Sequence, residues 1–176
     1  MSKIRLTKIY TKTGDDGSTS IANNERVFKT TPLIEAIGAV DEANSAIGMC
    51  LEYYNDIIER IQNDLFDLGA ELAGSKKFKI TEDRITYLEN LIDDYNEYLE
   101  PLNSFVLPTG SLHNARTVVR RAERWVWMAK EIHEHNDGFI IGPLLPKYLN
   151  RLSDLLFVMA RYHNKDKEKL WVQRTE

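Results

Sequence analysis

Near the start of the chain, Lys12-Thr-Gly-Asp-Asp-Gly-Ser-Thr19 sets one lysine, two glycines and three hydroxyls side by side. Glycine lets backbone N–H groups turn toward an anion, and a lysine adds charge, so such a stretch can cradle phosphate. It lacks the spacing of a Walker A loop and of a calcium-binding loop. A plain surface turn has the same composition. Further along, Arg116-Thr-Val-Val-Arg-Arg-Ala-Glu-Arg124 spaces Arg116, Arg120 and Arg124 by four residues, with Arg121 offset. On a helix these guanidiniums stack into a ladder whose members repel. The ladder wants carboxylates or phosphates, and the rigid donor fork of arginine suits both. The alternative is a solvated basic stripe.

Two more sets carry polar groups at helical spacing. Asp41, Asn44, Ser45 and Gly48 share one face amid small residues that let another helix approach closely. A polar group on a packed face needs a partner, so Asp41 is expected to meet a cation. Asn150, Asp154 and Arg161 form a polar line beside an apolar face, and a surface edge would look the same. Absent patterns narrow the chemistry. No Glu-x-x-His pair supports a di-iron core. His133 and His135 lie beside Asn136-Asp137-Gly138 and read as a loop rim, so no metal ligand is expected. Cys50 reads as a small buried hydrophobe, and Trp125 and Trp127 as packing residues.

Helices must position these groups. Thr31-Pro32 opens the first, Thr as cap and Pro at the first helical position, running to about Tyr54. Asp56 opens the second, with Ile57, Ile61, Leu65, Leu68 and Leu72 at helical spacing, ending near Gly74. The third starts at Thr81 and stops before Pro101. After a break centred on Phe105-Val-Leu-Pro-Thr-Gly110, the fourth runs from about Leu112 to Glu134. Gly142-Pro143 launches the fifth, to about Asn164. Residues 1–30 read as an extended arm and loop, 31–164 as one all-α antiparallel five-helix bundle, and 165–176 as a charged tail apolar only at Leu170, Trp171 and Val172.

Composition agrees with one soluble domain: 176 residues, 43% apolar and 28% charged. The longest apolar run, Leu155 to Ala160, is far short of the ~20 residues that cross a membrane. No signal-peptide core follows Met1, and the lone cysteine forbids an internal disulfide, so a reducing cytoplasm is expected. The net charge of −4 hides a segregation. Residues 1–30 carry six basic and three acidic side chains, 31–100 five and sixteen, and 101–176 twelve and eight. No general basic face for nucleic acid is indicated. The basic segments either converge on a polyanion or pair with the acidic one.

Taken in order, Tyr10-Thr-Lys-Thr-Gly-Asp-x-Gly-x-Thr19, Val40-Asp-Glu-x-Asn-Ser45, Phe105-Val-Leu-Pro108, the arginine run 116–124 and Leu149-Asn-Arg-Leu-Ser-Asp154 resemble the PduO-type ATP:cob(I)alamin adenosyltransferases from residue 9 to about 161. The resemblance implies a ferritin-like up-down bundle assembled as a homotrimer with active sites between subunits. It implies ATP contacts from Thr11, Lys12, Thr13, Gly14, Asp15, Lys29, Arg120, Glu123, Arg124 and Asn150. By the same likeness Asp41 pairs with Arg116, and Phe105 lies under the corrin ring of cobalamin in place of the lower axial base. Magnesium is carried by the phosphates, and no residue is a metal ligand. A cobalamin reductase and an adenosylcobalamin-dependent enzyme are the partners implied. A non-catalytic chaperone or sensor that binds nucleotide or cobalamin on the same fold is the alternative. A plain helical interaction module, its arginines paired with the acidic segment, is a second.

Overall fold

The computed structural model describes residues 9–22, 24–50, 54–136 and 140–174. The first eight residues of the expected arm and the Asn136-Asp137-Gly138 rim beyond Asn136 lie outside them, as does the side chain of His135. Two short strands, β1 (Ser18–Ser20) and β2 (Arg26–Phe28), pair antiparallel with Thr19 opposite Val27. Five helices follow: α1 (Pro32–Gly48), α2 (Asn55–Leu72), α3 (Glu82–Asn96), α4 (Gly110–Asn136) and α5 (Leu144–His163). Among the described residues no helix is long and apolar enough to cross a membrane.

The helix ends differ from expectation in instructive ways. Pro32 does occupy the first turn of α1, but the Thr31 hydroxyl makes no capping bond and is buried without a partner among the described residues. Helix α1 stops at Gly48 rather than near Tyr54. Its last carbonyls are closed by the N–H groups of Met49 and Cys50, which reach back three residues to Ala46 and Ile47 and tighten the turn. Gly110, at φ +86°, lets the chain enter α4 two residues before Leu112, from a conformation that side chains with a Cβ avoid.

Around the bundle the helices pack in the order α2, α1, α4, α5, α3. Asn44 and Gln62 lock α1 to α2 through reciprocal side-chain bonds to each other's carbonyl oxygens, at 3.1 and 3.2 Å. Glu42 meets Arg121 across α1 and α4, which therefore run antiparallel with Met49 beside Asn114. The neighbouring pair α3 and α5 follows the up-down alternation, in which the third and fifth helices point the same way. Glu82 bonds Lys147 and Glu89 bonds Arg151, so α3 runs parallel to α5. The 97–109 connection accordingly crosses over the C-terminal end of α5, where Arg161 donates to the carbonyl of Glu100. The core is aliphatic, with Ile47, Ile58, Leu65, Leu68, Ile85, Leu149 and Leu152 fully buried.

One polar cluster crosses that core. The Tyr148 hydroxyl, fully buried, donates to Asp64 Oδ2 at 3.0 Å, and Arg84 reaches Asp64 at 3.0 Å and Asp67 at 2.7 Å. Burial pushes the Asp64 carboxyl above its ordinary 3.8, a rise that Arg84 and Tyr148 only partly offset. The folded chain thus holds this proton more tightly than the unfolded one. The contribution of Asp64 is therefore most stabilising at acid pH and is lost as pH rises through its folded value. Tyr148→Phe removes one donor but leaves Arg84. It is expected to lower stability by about 1 kcal/mol, read as a smaller urea midpoint at unchanged slope.

Candidate functional site

The arm folds into a pinned turn. Lys12 takes φ +62° and Gly17 φ +84°, both left-handed, so the chain doubles back between Thr11 and Ser18. Lys29 Nζ donates to the Gly14 carbonyl at 2.8 Å, and Arg26 donates to that of Thr13 at 2.7 Å. A Cβ on Gly14 would sit 3.1 Å from both Lys29 Nζ and the Ser18 carbonyl, so glycine is what fits there. Asp16 accepts from the N–H and the hydroxyl of Ser18, and Arg26 reaches both residues. The Ser18 bonds, with Arg26 adding, hold the Asp16 carboxyl below its usual value. Thr11 and Thr13 share a hydroxyl bond of 2.8 Å, while Lys12, Asp15 and Lys29 are exposed. The turn therefore offers hydroxyls and two ammonium groups to solvent. It is tied to the bundle by the bond from Ala22 N–H to the carbonyl of Ala73, just past α2, and by Ile21, buried in the core.

Helix α4 divides its arginines between two sides. Eight residues of α-helix advance about 80° beyond two full turns, so Arg124 drifts away from Arg116. Arg124 lines the α1–α4 groove with Arg121, Glu42 and Ser45, whereas Arg116 and Arg120 lean toward α5. The three-membered ladder expected on one face is a pair plus one. Arg116 lies 5.9 Å from the centre of the Phe157 ring with its Nε buried and without an acceptor among the described residues. Burial, then the neighbouring Arg120, lowers its pKa, so an anion there would meet an unsatisfied cation. On α5, Asn150 Nδ2 reaches Glu123 Oε1 at 3.5 Å, and its Oδ1 accepts from Arg151 at 2.9 Å. Glu123 and Asn150 thus meet across α4 and α5, with Arg120 close enough to Asp154 to affect its carboxyl.

Other expected groupings separate. Asp41 and Asn44 face α2 and line a groove of ≈ 290 Å³ with Phe66 and Gly69, whereas Ser45 turns into the α1–α4 groove. Ser45 is one residue and about 100° past Asn44, so the two stand at opposite edges of that face and enter different grooves. Asp41, on the α1–α2 side, and Arg116, on the α4–α5 side, do not meet within the chain. Arg161 is buried rather than at a surface edge, because the 97–109 connection and the tail cover that end of α5. Among the described residues no hydrogen bond or ion pair joins the 11–17 turn to Arg120, Glu123 or Asn150.

Phe105 projects from the connection and is 78% exposed. The tail is more than a charged end. Trp171 N–H donates to the Phe105 carbonyl at 2.6 Å and Leu107 N–H to that of Lys169 at 2.8 Å, while Val106 and Leu170 form a β-bridge. The Trp171 ring meets Phe105 edge-on, 6.3 Å between centres. Sequence reasoning missed this strap and the pinning role of Arg26. The Leu-Trp-Val triplet in a charged tail was the available signal for the first, and nothing local marked the second.

A helical bundle with a glycine-turned arm at one end, an arginine-bearing helix along its side and an exposed aromatic at the other end is the class these observations define. Residues 9–163 match the family model of the cobalamin adenosyltransferases. The corrinoid adenosyltransferase of Mycobacterium leprae (strain TN) is 45% identical over 189 aligned positions, covering 96% of this chain and 97% of its own. That of Bacillus subtilis (strain 168) is 40% identical, covering 89% and 86%. A solved variant of the PduO-type ATP:corrinoid adenosyltransferase from Lactobacillus reuteri, complexed with cobalamin and ATP, superposes with a TM-score of 0.82 at 34% identity, over 96% of this chain and 100% of that one. The chain belongs to the cobalamin adenosyltransferase family.

Proposed function

We infer that this chain transfers the 5′-deoxyadenosyl group of ATP to cob(I)alamin, giving adenosylcobalamin and triphosphate. The observation that carries this reading is the match to corrinoid adenosyltransferases along nearly the whole of both chains. The electron pair of cobalt(I) attacks the C5′ carbon of ATP, a Co–C bond forms, the C5′–O5′ bond breaks, and triphosphate leaves with the displaced pair. No proton moves at the reacting atoms, so no general base is needed. What the protein must supply is positive charge where the leaving group gains negative charge. That role falls to the exposed lysines Lys12 and Lys29 at the arm turn and to Arg120 on α4, with Thr11, Thr13, Gly14 and Asp15 around the phosphates. Glu123 and Asn150, already in contact, are further ATP contacts, and Arg124 is another. Magnesium enters on the phosphates.

The working unit is read as a homotrimer with sites between subunits. The arm turn sits at the N-terminal end of α1 and Phe105 beyond its C-terminal end, and 17 residues of helix span about 25 Å. That separation supports an arm from one subunit serving the helices of the next. A reducing cytoplasm, a cobalamin reductase and an adenosylcobalamin-dependent enzyme complete the proposed setting. The buried, unpaired Cys50 is consistent with the compartment.

An anaerobic reaction with ATP and chemically reduced cobalamin tests the reading. Formation of adenosylcobalamin with release of triphosphate, followed by absorbance, is expected; bound substrates without product would overturn it. Phe105→Ala is expected to slow the reaction begun from cobalt(II) with a reductant more than the reaction begun from cobalt(I). Its role is to keep the lower face free of a ligand, which eases reduction. Equal losses in both assays would place Phe105 elsewhere.

A further inference from the structure

We propose that Arg161 and Glu168 form a clasp that positions Phe105, by anchoring the C-terminal segment as a strap across the 102–109 loop. This rests on the reading above that Phe105 faces the corrinoid. The loop carrying Phe105 makes no regular secondary structure, only the single bridge of Val106 to Leu170. Its backbone partners are the tail: Phe105 accepts from Trp171, Leu107 donates to Lys169, and the Ser104 hydroxyl donates to the Trp171 carbonyl at 2.7 Å. The apolar burial of the strap is partial, since Leu170, Trp171 and Val172 remain 36%, 47% and 78% exposed. Three hydrogen bonds in water contribute modestly to holding two exposed segments together. Something else must fix them.

The fixed point lies one residue before the strap. The side chains of Glu168 and Arg161 are only 16% and 10% exposed. Arg161 Nε donates to both Glu168 oxygens, at 3.1 and 3.4 Å, and the same guanidinium donates to the carbonyl of Glu100 at 2.9 Å. One side chain near the end of α5 therefore grips the chain just before the Phe105 loop and just before the segment that pairs with it. Glu168 also reaches inward toward α4. Its charge partly offsets the lowering that burial and Arg116 impose on the buried His113. A planar guanidinium can hold both partners in one geometry, which a lysine could not. Arg161 and Glu168 touch neither substrate in this scheme; they act through Phe105 and are positioning residues.

Glu168→Gln keeps the side chain's size and removes its charge from a protected pair. In the full-length protein, hydrogen exchange of the 102–109 and 168–174 peptides is expected to accelerate. Turnover from cobalt(II) cobalamin with a reductant is expected to fall on the order of tenfold or more, with the KM for ATP unchanged. Placed in a Phe105→Ala background, Glu168→Gln should add no further loss, because the group it positions is gone. Arg161→Lys serves as the second variant and should show the same split in weaker form. Unchanged exchange, a raised KM for ATP, or losses that multiply in the double variant would overturn the clasp while leaving the reading of Phe105 intact. A Phe105→Ala enzyme as active as the parent from cobalt(II) would sink that reading, and the clasp with it.

Discussion

Arg120→Ala is expected to lower kcat/KM ten- to hundredfold while leaving the melting temperature within a few degrees of the parent. The guanidinium is exposed on α4, so it is free to meet a phosphate. A charge-assisted hydrogen bond of this kind is worth about 1.5–3 kcal/mol, which sets the size of the loss. The fold should tolerate the change for two reasons. Removing Arg120 takes away a like charge four residues from Arg116, whose pKa it helps to lower. It also costs no buried contact. Asp154 loses a neighbouring cation but keeps Arg151, at 4.0 Å. Because the contact is made to a group whose charge grows as triphosphate departs, kcat should fall more than KM rises. Steady-state kinetics with ATP varied at saturating reduced cobalamin measure the split. Unchanged kinetics would mean that the arginines of α4 only support the fold.

The bundle itself was legible because its evidence is periodic and local. Ile61, Leu65, Leu68 and Leu72 recur at helical spacing, and all four are fully or almost fully buried in α2. Pro32 marks a helix start by backbone chemistry that does not depend on the rest of the molecule. Face assignments were harder to read. Arg124 and Ser45 fell on different sides from their nominal partners, because a few residues of helix rotation decide which groove a side chain enters, and the neighbouring helix is not written in the local sequence. The strap could not be read at all. It depends on Trp171 meeting Phe105 across sixty-six positions, and on α3 running parallel to α5 so that the connection passes the end of α5. Alternating helix directions make α3 and α5 parallel, but that they are neighbours follows from packing, not from loop length. The motif residues of the arm were recognisable from composition, but Arg26, which pins the turn from β2, carries no signal beyond its charge.

Asp41→Asn and Arg116→Ala should each weaken both assembly and activity, and by about 3–5 kcal/mol where the partner's charge is left buried. Asp41 borders the α1–α2 groove, and Arg116 lies half-buried against α5 with an unsatisfied Nε. Within one chain α1 and α4 separate the two sides, so a contact between these residues has to join two copies. One face of a subunit would then meet a different face of the next, an arrangement that closes into a ring when the rotation fits. The intact pair need not add net stability, since desolvation can cancel the attraction. Breaking it differs, because Arg116 already sits where burial disfavours its charge. The decisive measurement is a double-mutant cycle on the dissociation of the assembly, followed by light scattering over a dilution series. Direct contact predicts a coupling of about 0.5–3 kcal/mol. The exchanged variant, Asp41→Arg with Arg116→Asp, should recover part of the assembly. Its activity should stay low, because the swap moves charge relative to the phosphates. If the single effects add, the residues do not touch. If the parent scatters as a monomer that still turns over, the site is complete within one chain, and the reading of both residues as a subunit junction falls.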